Sequence, residues 1–277
     1  MKHPHALSVE ALKYYETGVE AQRLSTAAGP LEQVRTQELL TRYLPSPPAV
    51  ILDVGGGPGA YACWLAQSGY KVHLIDPVPL HVEQALRASQ AQRDHPLASV
   101  AIGDARKLDR IDASVDAVLL FGPLYHLTEQ RDRLASLKEA RRVVRNGGPV
   151  LATAICRFAS VLRGLYQGYL DDPEFARIVQ RDLIDGQHRN PTSNLAYFTT
   201  AFFHHSDELK VEIEQTGLRH EKTVAVEGLG WLLRDFEERW NNPDRRNRLL
   251  DVIRALESEP SLLGVSPHLM AVARKIS

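Results

Sequence analysis

One short segment, ILDVGGGPGAYACWL at residues 51–65, constrains the fold of this chain more than any other. A run of strand-forming apolar residues leads directly into four glycines and a proline, after which an apolar pattern with helical spacing resumes. Glycine allows a sharp backbone turn and the close approach of another molecule, and the start of a helix offers unpaired N–H groups to a polar ligand. The segment therefore predicts a strand–loop–helix unit that binds a small polar molecule.

Strand and helix patterns alternate along much of the chain. The strands predicted first are AVILDV, KVHLID, SVAIGD, DAVLLF and PVLATAI, with helical segments between them, and two later strands are RHEKTVAVEG and HLMAVARKI. Near-continuous apolar strands separated by helices are typical of a parallel sheet that is covered on both faces. The predicted fold class is therefore α/β, with a seven-stranded, mostly parallel sheet.

The chain begins with a helical region before the first strand. ALSVEALKYYETGVEAQRL has apolar residues close to helical spacing, and Gly29-Pro30 begins a second predicted helix that runs towards Tyr43. Residues 1–44 are therefore predicted to form an N-terminal helical cap, and residues 45–156 the sheet-based core that follows it.

A second region interrupts the alternation of strands and helices. About fifty residues, from Arg157 to His205, contain SVLRGLYQGYL, PEFARIVQRDLIDGQ and SNLAYFTTAFF, which indicate helices and turns rich in Tyr and Phe. Because a structureless loop of that length is rare in a compact domain, residues 157–205 are predicted to form a helical lid. Ser206 is then expected to cap the next helix, and residues 206–277 to complete the core.

The composition argues against several classes of partner and compartment. With 33 basic and 34 acidic residues, the chain is nearly neutral and does not call for a nucleic-acid or anionic-membrane partner. Its two cysteines, Cys63 and Cys156, are too few and too far apart for a disulfide framework. MKHPHALSVE lacks the apolar core of a signal peptide, and no apolar run reaches the length of a membrane span. A cytoplasmic location is expected.

The glycine loop by itself fits two kinds of nucleotide cofactor. Gly55, Gly57 and Ala60 match G-x-G-x-x-G/A, and Asp76 follows about 20 residues later at the end of a strand, where a carboxylate accepts ribose hydroxyls. NAD is compatible with this pattern. Asp53 extends it to D-x-G-x-G-x-G through Gly59, and GDA closes the third strand. Together with the paired late strands, these motifs resemble class I S-adenosylmethionine-dependent methyltransferases, particularly bacterial enzymes that act on small molecules.

The resemblance covers the chain from about Tyr43 to its end and implies a Rossmann-like sheet with helices on both faces. It also implies S-adenosyl-L-methionine as the cofactor, with Asp76 bound to both ribose hydroxyls. It further assigns a set of residues to contacts with the methionine part, the ribose and the adenine and to their surroundings. These residues are Asp53, Gly55, Gly56, Gly57, Gly59, Pro77, Gly103, Asp104, Ala105 and Phe121.

The segment after the fourth strand, LLFGPLYHL, is where the resemblance places the methyl acceptor. Methyltransferases that act on DNA adenine or on glutamine carry Asn/Asp-Pro-Pro-Tyr/Phe there, whereas this chain has Phe-Gly-Pro-Leu at residues 121–124. A small-molecule acceptor is therefore expected, and secondary metabolism is one setting for such enzymes. His126 is the candidate general base because an unperturbed histidine pKa of about 6.5 suits proton acceptance near neutral pH. Tyr125 is expected to close over the cofactor or to line the acceptor pocket.

The N-terminal cap offers further candidates for cofactor contact. Tyr14 or Tyr15 can present a ring face to the sulfonium, and Arg23 can pair with the methionine carboxylate; a solvated amphipathic helix is the alternative. His204 and His205 beside Asp207 superficially suggest a metal site, but adjacent histidines on a strand point apart, so no metal is predicted.

The expected function is transfer of a methyl group from S-adenosylmethionine to an N, O or C atom of a small molecule. Two alternatives stay open from the sequence. One is an NAD-dependent oxidoreductase, although no Tyr-x-x-x-Lys pair is present to support hydride transfer. The other is a cofactor-binding protein without catalytic turnover, because the glycine loop and its carboxylates report binding rather than chemistry.

Overall fold

The computed structural model describes residues 7–276, so that residues 1–6 of the predicted cap and residue 277 lie outside the described part. The strands of the described chain are β1 Val50–Val54, β2 Lys71–Asp76, β3 Ser99–Ile102, β4 Ala117–Leu120, β5 Pro149–Cys156, β6 Gln187–His188, β7 Ala201–His204, β8 Leu218–Ala225 and β9 His268–Lys275. The seven predicted strands correspond to β1–β5, β8 and β9, and β6 and β7 are additional.

Helices precede, separate and follow these strands. They are α1 Val9–Glu16, α2 Glu20–Arg23, α3 Gly29–Tyr43, α4 Ala60–Gln67, α5 Pro79–Ala91, α6 Pro123–His126, α7 Gln130–Val143, α8 Ala159–Gln167, α9 Pro173–Asp185, α10 Ser206–Gln215, α11 Phe236–Asn241 and α12 Pro243–Leu256. Short 3₁₀ helices occupy Tyr169–Asp171, Leu195–Tyr197, Gly230–Leu232 and Pro260–Val265. Across residues 7–276, none of the helices has the length and apolar character needed to cross a membrane.

The sheet confirms the predicted Rossmann-like α/β class. Strands β3, β2, β1, β4 and β5 lie side by side in this order and run parallel. Strand β9 is antiparallel to β5, and β8 is antiparallel to β9. The end of β8 and the start of β9 therefore lie at the same edge of the sheet as the carboxyl ends of the parallel strands.

Two apolar layers cover the two faces of this sheet. On one face, side chains such as Leu52 and Val118 pack against α7 and α10, and on the other face Ile51 and Leu119 pack against α3, α4 and α5. Consecutive residues of β1 and β4 thus point into opposite layers, as the pleat of a strand requires. Burial on both faces explains why these strands are nearly continuous apolar runs.

The N-terminal cap is divided more finely than its apolar spacing predicts. The chain leaves α1 after Glu16, and Gly18 takes a positive φ of 79° before α2 begins, so one predicted helix is two short ones. The prediction for α3 is correct, since Pro30 stands in its first turn. Leu31 of α3 packs against α11 and α12. Neither of these two helices is predicted by the sequence analysis.

The region predicted as a helical lid is helical only in its first part. Helices α8 and α9 occupy that part, but β7 pairs in parallel with the tip of β5, and β6 pairs with β7. The helical reading of SNLAYFTTAFF is therefore wrong at residues 201–204, where the side chains are buried on both faces of a strand. The prediction that Ser206 caps the next helix is wrong by one residue, because α10 begins at Ser206 and its capping residue is His205, which forms a capping box with Glu208.

Candidate functional site

A cleft of about 320 Å³ opens at the edge of the sheet where the parallel strands end. The glycine loop after β1 forms its floor, and its fit there depends on the absence of side chains. A Cβ atom on Gly55 would lie 2.7 Å from Cδ of Pro123, and one on Gly56 would lie 2.7 Å from Oδ2 of Asp53. Gly55 also has a positive φ of 77°. The loop is thus a close-fitting backbone surface, as a cofactor cradle requires.

Asp76, at the end of β2, ties the second strand to the glycine loop. Its Oδ2 accepts a hydrogen bond from the Gly57 N–H at 2.8 Å. Its Oδ1 accepts from the Val78 N–H at 2.9 Å, and Nδ1 of His81 lies 3.1 Å from the same oxygen. Only Oδ2 therefore keeps an open lone pair in the plane of the carboxylate. Nothing in the sequence analysis identified His81, whose Nε2 is buried without a hydrogen-bond partner among the described residues.

Asp53 lies in the floor of the cleft with neither carboxylate oxygen hydrogen-bonded within the described chain. Only 1% of the residue is exposed. Burial, and secondarily the charge of Asp76, raises the pKa of this carboxyl to about 7. A buried acceptor without a donor is costly, so a ligand that brings a hydrogen-bond donor to this position gains binding free energy.

The other predicted cofactor residues fall into two groups. The cleft is lined by Arg23, Asp53, Gly55, Gly56, Gly57, Asp76, Pro77, Gly103, Asp104, Ala105 and Phe121, and also by both candidate catalytic residues, Tyr125 and His126. Gly59 lies just outside it as the residue before α4, and Tyr14 packs against Tyr15 and Phe198 outside the cleft. Tyr15, the second tyrosine of the pair considered from the sequence, is the one that lines the cleft.

Tyr15 joins the N-terminal cap to the segment after β4. Its hydroxyl oxygen lies 2.7 Å from Nε2 of His126, and its ring makes edge contacts with the rings of both His81 and His126. Burial lowers the pKa of His126 to about 4, so its imidazole is neutral at physiological pH. It is therefore a weak base, although it lines the cleft.

Arg23 is bound by two carboxylates of the cap. Its Nε donates to Glu20 at 2.8 Å, and its Nη1 donates to Glu32. Burial opposes ionisation of Glu32, but Arg23 and then His268 lower the pKa of Glu32 below its usual value. The guanidinium is thus held in place at the cleft, and its Nη2 has no hydrogen-bond partner among residues 7–276.

A cluster of two carboxylates and a histidine, two of which line the cleft, was missed by the sequence analysis. Glu32 of α3, Glu227 after β8 and His268 at the start of β9 bring one potential ligand atom each to within 4.8 Å of one another. Nδ1 of His268 lies 2.5 Å from Oε1 of Glu227. These residues are far apart in sequence and follow no local motif. The sheet topology is the signal that could have brought Glu227 and His268 together, because the end of β8 and the start of β9 lie at the edge that holds the glycine loop.

Comparisons with known proteins agree with this geometry. Residues 51–148 match the family model described as a methyltransferase domain. An uncharacterized methyltransferase of Mycobacterium tuberculosis is 31% identical over 126 residues, which are 44% of this chain and 48% of that protein. A relative from Mycobacterium bovis, also an uncharacterized methyltransferase, matches to the same extent. The chain thus spans about half the length of the curated relatives it matches.

Solved methyltransferase structures share the fold over most of the chain. A putative S-adenosylmethionine-dependent methyltransferase from Listeria monocytogenes has a TM-score of 0.60 at 14% identity and covers 90% of this chain and 100% of its own. A putative methyltransferase from Haloferax volcanii, solved with the Trm112 activator, has a TM-score of 0.60 at 16% identity, with coverage of 96% and 98%. A Methanosarcina mazei methyltransferase has a TM-score of 0.57 at 17% identity and covers 86% and 97%. The match of residues 51–148 to a methyltransferase domain and the fold shared with these structures both agree with the resemblance to class I S-adenosylmethionine-dependent methyltransferases.

Proposed function

We propose that the chain binds S-adenosylmethionine in the cleft and transfers its methyl group to an N, O or C atom of a small molecule. The observation that carries this proposal is the junction of Asp76 with the glycine loop at the carboxyl edge of the sheet, which presents a charged acceptor beside bare backbone. The unpartnered oxygens of Asp53 in the same floor fit a polar cofactor rather than an empty structural cavity.

The residues present fit each part of this cofactor. Asp76 would accept a ribose hydroxyl, Asp104 and Ala105 would contact the adenine, and Arg23 would bind the methionine carboxylate. When bound, the cofactor supplies an electrophilic methyl group on a positively charged sulfur. The chain's part is to align the acceptor with that methyl group and to exclude water, for which the contact between Tyr15 and His126 closes the cap over the cleft.

We also propose that the cap and the segment 157–205 determine which acceptor enters. The cap reaches the cleft through Tyr15 of α1. The lid segment supports the cleft wall from behind, because Phe198 packs against the ring of His126. The absence of a polar residue at Phe121-Gly122-Pro123-Leu124 supports an acceptor other than a base or amide of a macromolecule.

Calorimetric titration with S-adenosylmethionine, S-adenosylhomocysteine and NAD in parallel tests the proposal. We expect micromolar binding of the first two and none of NAD; binding of NAD alone would contradict the assignment. Labelled methyl transfer to a panel of phenols, amines and carbon nucleophiles then separates an enzyme from a protein that binds the cofactor without turnover.

A further inference from the structure

The pair formed by Glu227 and His268 is built as a carboxylate–imidazole dyad. Oε1 of Glu227 faces Nδ1 of the ring at 2.5 Å. Oε2 of Glu227 accepts hydrogen bonds from the hydroxyl of Ser266 at 3.0 Å and from the backbone N–H of His268 at 3.2 Å. Only 2% of Glu227 is exposed. The carboxylate is therefore fixed from several sides, and it fixes the orientation of the ring.

The other ring nitrogen of His268 is free to act in the cleft. Nε2 makes no hydrogen bond within residues 7–276, and the side chain, 24% exposed, lines the cleft. A carboxylate on one nitrogen selects the tautomer that carries its hydrogen there and leaves the lone pair on the other. In its neutral form the ring thus carries its lone pair on Nε2, the nitrogen that has no hydrogen-bond partner within residues 7–276.

The charges around His268 come from three other elements. Glu227 follows β8, Glu32 lies on α3 with Oε2 3.8 Å from Nδ1, and Arg23 of α2 pairs with Glu32. Burial acts to lower the pKa of His268, but Glu227 and Glu32 outweigh it and raise the pKa to about 9. These charges form ion pairs with one another, and the positive guanidinium of Arg23 beside Glu32 opposes a bound cation, so the cluster fits proton transfer better than metal binding.

His268 and His126 differ in their capacity to take up a proton. His126 is enclosed by Tyr15 and other rings, and its pKa is lowered to about 4. His268 lies beside carboxylates that stabilise its imidazolium form. Between His126 and His268, His268 is therefore the one whose surroundings favour a bound proton.

We propose that His268, oriented by Glu227, accepts the proton released by the methyl acceptor, and that this acceptor is a nucleophile with an ionisable O–H or N–H. The inference rests on the proposed function. The acceptor's heteroatom forms a bond to the methyl carbon, the bond between carbon and sulfur breaks, and the sulfur keeps the electron pair as a neutral thioether. The neighbouring carboxylates keep His268 protonated before the cofactor binds, so the positive sulfonium would first displace that proton to solvent. The neutral ring then takes the proton of the heteroatom at Nε2, so charge and atoms balance. Glu227 is a positioning residue, since it acts only through the ring.

Proton release on cofactor binding tests this placement without a known acceptor. The sulfonium of S-adenosylmethionine is positive, whereas S-adenosylhomocysteine has a neutral sulfur, so only the former should displace a proton from a nearby imidazolium. Calorimetry at pH 8.5 in buffers of different ionisation enthalpy gives the number of protons released by each ligand. We expect wild type to release more protons than His268→Asn when it binds S-adenosylmethionine, and equal numbers when it binds S-adenosylhomocysteine.

Matched variants make the result specific. When it binds S-adenosylmethionine, Glu227→Gln should release no more protons than His268→Asn, because its imidazole is no longer protonated at this pH. His95→Asn, which changes an exposed histidine, should release as many protons as wild type. His268→Gln serves as a second substitution if His268→Asn does not fold, as judged by circular dichroism and by its affinity for S-adenosylhomocysteine.

The outcomes separate this proposal from the proposed function. Equal proton release by wild type and His268→Asn, with both ligands bound, would show that His268 does not face the reacting sulfur and would overturn the dyad alone. Failure of the folded wild type to bind either ligand would overturn the proposed function and the dyad with it.

Discussion

Replacement of Asp76 by asparagine separates the two tasks that the structure gives this carboxylate. Asparagine keeps one oxygen for the Val78 N–H and His81, but it directs an amide group at the Gly57 N–H, which loses its acceptor. An unpaired buried N–H costs about 1 to 3 kcal/mol, so the free energy of unfolding should fall by that amount. This effect needs no cofactor.

The effect on binding is additional and follows from the open lone pair on Oδ2. One ribose hydroxyl can bond to it without displacing an existing donor, and the second needs His81 or Val78 to yield. A hydrogen bond to a charged group contributes about 1.5 to 3 kcal/mol, so the Kd for S-adenosylhomocysteine should rise about 10- to 150-fold. Calorimetric titration of the folded variant measures this directly.

Asp116→Asn is the matched control. Oδ2 of Asp116 accepts a hydrogen bond from the Val50 N–H at 2.7 Å, at the opposite end of the sheet from the cleft. This variant should lose a similar amount of stability and keep its cofactor affinity. An Asp76→Asn protein that is destabilised but binds with the wild-type Kd would refute the assignment of Asp76 to the ribose.

Three further substitutions test particular interactions. Because the pKa of Asp53 is raised to about 7, the folded protein binds more protons than the unfolded chain between about pH 4 and 7. As the pH rises through that range, the free energy of unfolding of wild type should therefore fall by on the order of 2 to 4 kcal/mol relative to Asp53→Asn, as measured by denaturant titration. Tyr15→Phe removes the buried hydrogen bond to His126 and should lower the free energy of unfolding by about 1 to 2 kcal/mol; no change would mean that the cap is not held there. Glu212→Ala leaves the buried guanidinium of Arg133 without its carboxylate and should lower the free energy of unfolding by about 3 to 5 kcal/mol. A decrease below about 1 kcal/mol would show that water reaches the pair.

The parts of the site that the sequence analysis identified are those encoded by short spacings. Gly55 and Gly57 lie in one loop, and Asp76 ends the next strand, so a linear motif is enough to place all three together. The strands of this half were also predictable, since each is a buried apolar run that ends at a turn signal. Local patterns failed where tertiary pairing decides the structure, as at residues 201–204, where pairing with β5 makes a strand of a segment read as helical.

The residues that were missed share a different origin. Glu32, Glu227 and His268 come from three elements that meet only because β8 and β9 pair with each other and β9 returns antiparallel beside β5. That reversal carries the start of β9 and the end of β8 to the edge where the parallel strands end. His268, at the first position of β9, therefore lines the same cleft as the glycine loop, and Glu227, just beyond β8, is hydrogen-bonded to His268.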